Sequence, residues 1–209
     1  MRCFCTNRTL MCIKILFFLM VNIAIFASGS GSNAENIVRY FESHPCISVS
    51  LILTNKADAY VLERAKKLNI PAMIFSKTEM NESDSLLNLL IEKKIDWLIL
   101  AGFLLKVPDN LIAAFPDRIL NIHPALLPKH GGKGMYGSRV HEAVVAAGEK
   151  ESGITIHYVN NHYDEGQIAF QATCPVLPSD SAEDVANKVH ALEYEHFPKV
   201  IEKIISDSL

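Results

Sequence analysis

Apolar residues along this chain recur in two rhythms. Short, nearly continuous apolar runs at Val21 to Ala27, Val49 to Thr54, Ala72 to Phe75, Trp97 to Ala101 and Ile119 to Ile122 have the length and branching of buried strands. Between them, Asn33 to Glu42, Ala59 to Leu68, Asp84 to Lys93 and Pro108 to Ala114 space their apolar positions as helices with one buried face do. Strand and helix in strict alternation imply parallel strands joined by right-handed crossovers, an α/β fold with a doubly wound, mostly parallel sheet. The rhythm changes after Pro128. Arg139 to Ala147 reads as a helix stopped by Gly148. Gly153 to Val159 and Gln167 to Thr173 then alternate around a polar turn, a late antiparallel hairpin that extends the sheet. Ala182 to Ile205 closes the chain as a long C-terminal helix. There is no internal repeat, and 209 residues with 49% hydrophobic content suit one core, so residues 20–209 are expected to form a single domain.

Residues 1–19 stand apart. Arg2 and Arg8 followed by the apolar run Ile13 to Ala27 could pass for a secretory signal cut near Ala27-Ser28-Gly29. Such a cut would remove the first strand and sever it from the glycine-rich turn behind it, so residues 1–19 are read instead as an over-long start or a disordered extension. Lys14 and Asn22 also break the run too soon for a membrane span. The formal net charge of −3 provides no basic field, and no nucleic-acid partner is expected. The odd count of five cysteines, without a Cys-x-x-Cys pair, argues against a disulfide framework or a zinc site. A cytoplasmic protein with small-molecule partners fits these observations.

The stretch Ile119-Leu120-Asn121-Ile122-His123-Pro124-Ala125-Leu126-Leu127-Pro128 carries the first candidate chemistry. Residues two apart in a strand share a face, so Asn121 and His123 emerge together while Ile122 packs inward. Pro124 ends the strand just after the histidine. An amide beside an imidazole offers a neutral donor and a group that carries a proton near neutral pH, which suits reaction at a carbonyl. A lone strand histidine is more often structural, but this one stands at a strand end, where α/β sheets bind ligands. Ser28-Gly29-Ser30-Gly31-Ser32-Asn33 follows the first strand and opens a helix, a plausible cradle for a single phosphate. It has no P-loop lysine, and Asn33 stands where a dinucleotide fingerprint wants its third glycine. Asp164, in the polar turn His162-Tyr163-Asp164-Glu165-Gly166, either bonds its own backbone or reaches His123, where a carboxylate would raise the imidazole pKa. His157 on the preceding strand reads as a packed structural residue.

Gly31-Ser32-Asn33, Asn55-Lys56-Ala57-Asp58-Ala59, Leu100-Ala101-Gly102-Phe103, Asn121-Ile122-His123-Pro124 with Leu126-Leu127-Pro128, and Asp164 with Gly166 occur in an order that closely resembles the folate-dependent formyltransferase family. The likeness runs from Met20 to the carboxyl end, and Gly-Ser-Asn after the first strand resembles the branch that acts on glycinamide ribonucleotide. The resemblance implies transfer of a formyl group from 10-formyltetrahydrofolate, as donor cosubstrate and without a metal, to the amine of glycinamide ribonucleotide in purine biosynthesis. By similarity, Asn121 and His123 bind the formyl oxygen, and Asp164 holds and charges the histidine while a water relays the amine proton. Gly31, Ser32 and Asn33 take the phosphate, and Glu193 contacts the same substrate. Leu104, Leu105, Lys106 and Val107, with Asn121, line the folate pocket. A monomer or weak homodimer with no nucleic-acid or membrane partner goes with this reading.

The chain departs from the family where Leu105 replaces a common arginine, and in a glycine-rich loop, His130 to Gly137, longer than in familiar members. That loop is read as a lid over a plain surface loop, and Lys133 in it as a solvated lysine. Another formyl-transferring or formyl-folate-hydrolysing enzyme is the nearest alternative. A nonenzymatic phosphosugar-binding module would need the cradle but not His123. A dinucleotide oxidoreductase is disfavoured because Thr54 and Asn55 stand where a ribose-binding acid is expected.

Overall fold

In the computed structural model, which describes residues 20–209, the apolar runs become strands β1 (Val21–Phe26), β2 (Ile47–Thr54), β3 (Ala72–Ile74), β4 (Trp97–Leu100), β5 (Ile119–His123), β6 (Glu151–Tyr158) and β7 (Ile168–Pro175). The helices are α1 (Ser32–Phe41), α2 (Val61–Lys67), α3 (Lys77–Asn81), α4 (Ser85–Glu92), α5 (Asp109–Ala114), α6 (Ser138–Ala146) and α7 (Ala182–Asp207). The reading of residues 1–19 as an over-long start or extension lies outside the described residues. The strands form one sheet in the order β3-β2-β1-β4-β5-β6-β7. The first five pair in parallel, whereas β6 runs antiparallel to both β5 and β7.

Each face of the sheet has its own core. Ile37, Val61, Val144, Val189 and Phe197 from α1, α2, α6 and α7 pack with Ile23, Ile25 and Leu120 on one side. Met80, Leu86, Leu90 and Leu111 from α3, α4 and α5 pack with Phe26, Leu53 and Leu98 on the other. Strands covered on both faces have no polar side to show, which is why β4 reads as an unbroken apolar run and β1 as one from Ile23 onward. Asn22 within β1 is satisfied by the Lys94 carbonyl at 3.0 Å and the Ser50 hydroxyl at 2.9 Å.

Two helices carry features that the apolar spacing alone does not show. The short α3 was not expected; its signal is the Ser76–Glu79 capping box, in which Ser76 Oγ accepts from the Glu79 amide and the Glu79 carboxylate accepts from the Ser76 amide. The long α7 runs through Pro198, which cannot donate to the Tyr194 carbonyl one turn earlier. Asn36 on α1 donates to that freed carbonyl at 2.9 Å, so the proline docks α7 against α1 without an orphaned acceptor.

The β6–β7 turn depends on a close approach. A Cβ on Gly166 would stand 1.7 Å from the Tyr158 carbonyl oxygen, so a side chain there forces the turn away from β6. Gly166→Ala should lower the unfolding free energy by about 2 kcal/mol or more, and the exposed neighbour Gln167→Ala by less than about 0.5 kcal/mol, as read from urea denaturation midpoints.

Candidate active site

The sheet's connections diverge between β1 and β4, and a cleft of about 830 Å³ opens there at the carboxyl ends of β1, β4 and β5. Gly31, Ser32, Asn33, Leu104, Leu105, Lys106, Val107, Asn121, His123, Asp164 and Glu193 all line it, so the residues singled out from the sequence come together in one place. Its volume suits one or two small molecules.

At one end lies the glycine-rich turn. Gly31 is the N-cap of α1, with φ at 71°, and a Cβ on it would stand 2.9 Å from Val61 Cα, so both conformation and space require glycine. No side chain caps α1, which leaves its first-turn amides open toward the cleft. The Asn33 side chain is committed elsewhere: its amide donates to Glu193 Oε2 at 2.8 Å, and that same oxygen is 3.0 Å from His190 Nδ1. Asn33 Oδ1 is buried without a partner. Ser28 knits this end to the wall formed by Leu104 to Val107, donating to Asn55 Oδ1 at 2.6 Å and accepting from the Leu104 amide at 3.0 Å. In that wall Val107 is buried and Leu105 packs against the second core, while Leu104 and Lys106 are exposed.

At the centre, Asn121 and His123 occupy alternate positions of β5 and pair in register with His157 and Thr155 of β6. His157 Nδ1 is 2.9 Å from the Tyr158 carbonyl, an acceptor, so it carries the proton and Nε2 accepts from Asn121 Nδ2 at 3.0 Å. His157 is thus a positioning partner of Asn121, beyond the packing role read from the sequence. Asn121 keeps its second amide proton for the cleft. The segment after His123 is stitched down by Thr155, whose hydroxyl donates to the Ala125 carbonyl at 2.7 Å and accepts from the Leu127 amide at 3.0 Å.

His123 is 3% exposed and is met from two sides. Nε2 donates to the His130 carbonyl at 2.8 Å, and Nδ1 lies 3.7 Å from Asp164 Oδ2. Asp164, with φ at 56°, points inward from its turn, accepts from the Gly132 amide at 2.8 Å and approaches His157 to 3.7 Å, while its neighbour Glu165 stays exposed. The loop His130 to Gly137 therefore lies against both side chains, supplying His123 with an acceptor and Asp164 with a donor. Lys133 is exposed, as expected of a solvated lysine.

The expected rise of the His123 pKa is corrected by its surroundings. Burial pushes the imidazole below its ordinary value, and Asp164, together with the His130 carbonyl, pulls upward without prevailing. With Asp164 beyond hydrogen-bond distance, desolvation wins. For Asp164 burial acts upward, but His157, His123 and the Gly132 amide together hold its carboxyl below the usual range. The resting site thus holds a neutral imidazole facing an ionised carboxylate.

Residues 21–201 match the formyl transferase family. The chain belongs to it. It is 35% identical over 187 residues to the phosphoribosylglycinamide formyltransferase of Haemophilus influenzae, covering 87% of this chain and 86% of that one. It is 39% identical to the chloroplastic phosphoribosylglycinamide formyltransferase of Arabidopsis thaliana, over 90% of this chain, and spans 66% of that relative's length. The crystal structure of the Anaplasma phagocytophilum phosphoribosylglycinamide formyltransferase superposes with a TM-score of 0.81 at 32% identity, covering 90% of this chain and 88% of that one. These likenesses put the formyltransferase fold expected from the sequence in the phosphoribosylglycinamide branch of the family.

Two histidines of this formyltransferase's cleft escaped the sequence reading. His141, on the buried side of α6, has Nδ1 enclosed without a partner, and burial, then His190, hold it below its ordinary pKa. His190 is raised instead, by its hydrogen bond to Glu193. The available signals were a histidine within the apolar stripe Val140 to Val144 and a His-Glu pair one helical turn apart.

The lowered His123 pKa sets a sign for stability. The folded protein holds His123 neutral while the unfolded chain protonates it, so its contribution is complete above about pH 6.5 and is lost as pH falls from there through the folded value. His123→Gln should therefore flatten the fall of denaturation midpoint as pH drops below about 6.5, leaving a residual slope from His141. Equal slopes in the two proteins would contradict the assignment.

Proposed function

We propose that this chain transfers the formyl group of 10-formyltetrahydrofolate to the primary amine of glycinamide ribonucleotide, giving N-formylglycinamide ribonucleotide and tetrahydrofolate in purine biosynthesis. The observation that carries this reading is a single cleft holding an uncapped helix amino terminus at one end and Asn121, His123 and Asp164 at its centre. The open amides of α1 suit the substrate phosphate, and the Asn33–Glu193 pair suits the ribosyl part beside it. The apolar wall from Leu104 to Val107 suits a pterin ring held by a few backbone groups.

In this reading the amine nitrogen attacks the formyl carbon and its oxygen becomes negative. The free Asn121 amide proton faces that oxygen, and His123, which takes up a solvent proton as the charge develops and returns it when the intermediate collapses, adds its positive charge beside it. Asp164 makes protonation of a buried imidazole affordable as the charge develops, and its carboxylate takes the amine proton through a water. The carbon–nitrogen bond to the folate then breaks, and the proton lost by the amine ends on that folate nitrogen. A cytoplasmic enzyme, a monomer or weak homodimer acting on small molecules, goes with this function. Cys46 and Cys174 are free and buried, and no helix among the described residues is long and apolar enough to cross a membrane.

The test is a formyl-transfer assay with both substrates beside a control lacking the amine. Product should form only with the amine; loss of the formyl group at the same rate without it would mark a hydrolase instead. Asn121→Ala and His123→Ala should each lower kcat by about a hundredfold or more with KM changed by less than about threefold, because they act on charge that appears only in the transition state.

A further inference from the structure

The cradle is built against α2, and one side chain there has no place in the reaction above. The Val61 amide donates to the Gly29 carbonyl at 3.2 Å, and Arg64 Nε donates to the Ser30 carbonyl at 2.8 Å. In a trans peptide the N–H points opposite to the C=O. With both carbonyls pinned toward α2, the amides of Ser30 and Gly31 face away from it, into the cleft those residues line. A flipped Ser30–Gly31 peptide would offer a phosphate a carbonyl oxygen in place of a donor.

Arg64 does a second thing at the same place. Its Nη1 binds Glu35, an acid in the first turn of α1, which Arg39 also grips at 2.7 Å. An unmasked carboxylate there competes with an incoming phosphate for the same amides and repels it. The guanidinium is held for both contacts by Tyr60, whose ring centre lies 5.1 Å from Arg64 Cζ. A fork can bond a carbonyl and a carboxylate at once in fixed geometry, and a lysine ammonium cannot reproduce it.

We propose that Arg64 is a positioning residue of the phosphate cradle: it holds the Ser30–Gly31 peptide with its amide toward the substrate phosphate and masks the charge of Glu35. This rests on the reading of the cleft as a glycinamide ribonucleotide site.

The experiment titrates inorganic phosphate into the full-length protein by calorimetry and measures steady-state formyl transfer in parallel. Arg64→Met should weaken phosphate binding and raise KM for the phosphorylated amine by the same factor, about tenfold, with KM for the formyl donor unchanged and kcat within about twofold. Arg64→Lys should fall between Arg64→Met and wild type, and it carries the test if Arg64→Met does not fold. Adding Glu35→Gln to Arg64→Met should recover only the part due to charge, leaving phosphate affinity below that of Glu35→Gln alone. Unchanged phosphate affinity in the Arg64 variants, with a lower Tm, would assign Arg64 to fold stability and overturn the proposal while leaving the cleft reading intact. A wild-type protein that takes up no phosphate would overturn both.

Discussion

The imidazole at the end of β5 is withdrawn from water and still finds a partner for one nitrogen and a countercharge near the other. Three segments distant in sequence supply this: β5 carries His123, the following loop brings the His130 carbonyl, and the β6–β7 turn brings Asp164. A buried polar group left without a partner costs on the order of 1–3 kcal/mol, so the strand end, the loop and the turn hold one another in place. The Gly132 amide on Asp164 closes the circuit, because the loop that satisfies the histidine also orients the carboxylate. In the proposed reaction, that balance of burial and countercharge lets the imidazole gain a proton only when negative charge appears beside it.

The same logic ties the two ends of the cleft together. Ser28 bonds the β2–α2 connection through Asn55 and the Leu104–Val107 wall through the Leu104 amide, so one side chain joins the two. Across the cleft, Asn33 and Glu193 join α1 to α7 although they lie 160 residues apart. That contact is placed by packing: Val189, Glu193, Phe197 and Ile201 recur every four residues on the buried stripe of α7, and Asn36 takes up the carbonyl that Pro198 leaves free. A carboxylate on a core-facing stripe is expensive unless paired, and here its pairing is part of the site.

The fold was legible where burial on both faces makes strands apolar throughout and where strict alternation leaves parallel pairing as the natural topology. It was less so where one turn of helix buries a single side chain, as at Met80 in α3. The strand β2 begins at Ile47, earlier than its apolar run suggests, because Ser48 and Ser50 interrupt that run and Ser50 spends its hydroxyl on Asn22. At the site, Asn121 and His123 could be paired from alternation alone. A turn aspartate looks the same in sequence whether it bonds its own backbone or reaches across a cleft, so Asp164 was an open choice, and the direction of the His123 pKa was misjudged because pattern alone does not measure desolvation. His141 and Arg64 went unread since their surroundings come from other elements, α7 for His141 and the β1–α1 turn with α1 for Arg64.

The state of His123 at rest is the point on which the account turns. Nitrogen-15 NMR of the ligand-free protein, with His123 assigned through the His123→Gln variant, reads that state directly. The account predicts a neutral ring protonated on Nε2 that titrates below the ordinary imidazole value. A ring that stays doubly protonated through neutral pH, or one whose proton sits on Nδ1, would contradict it.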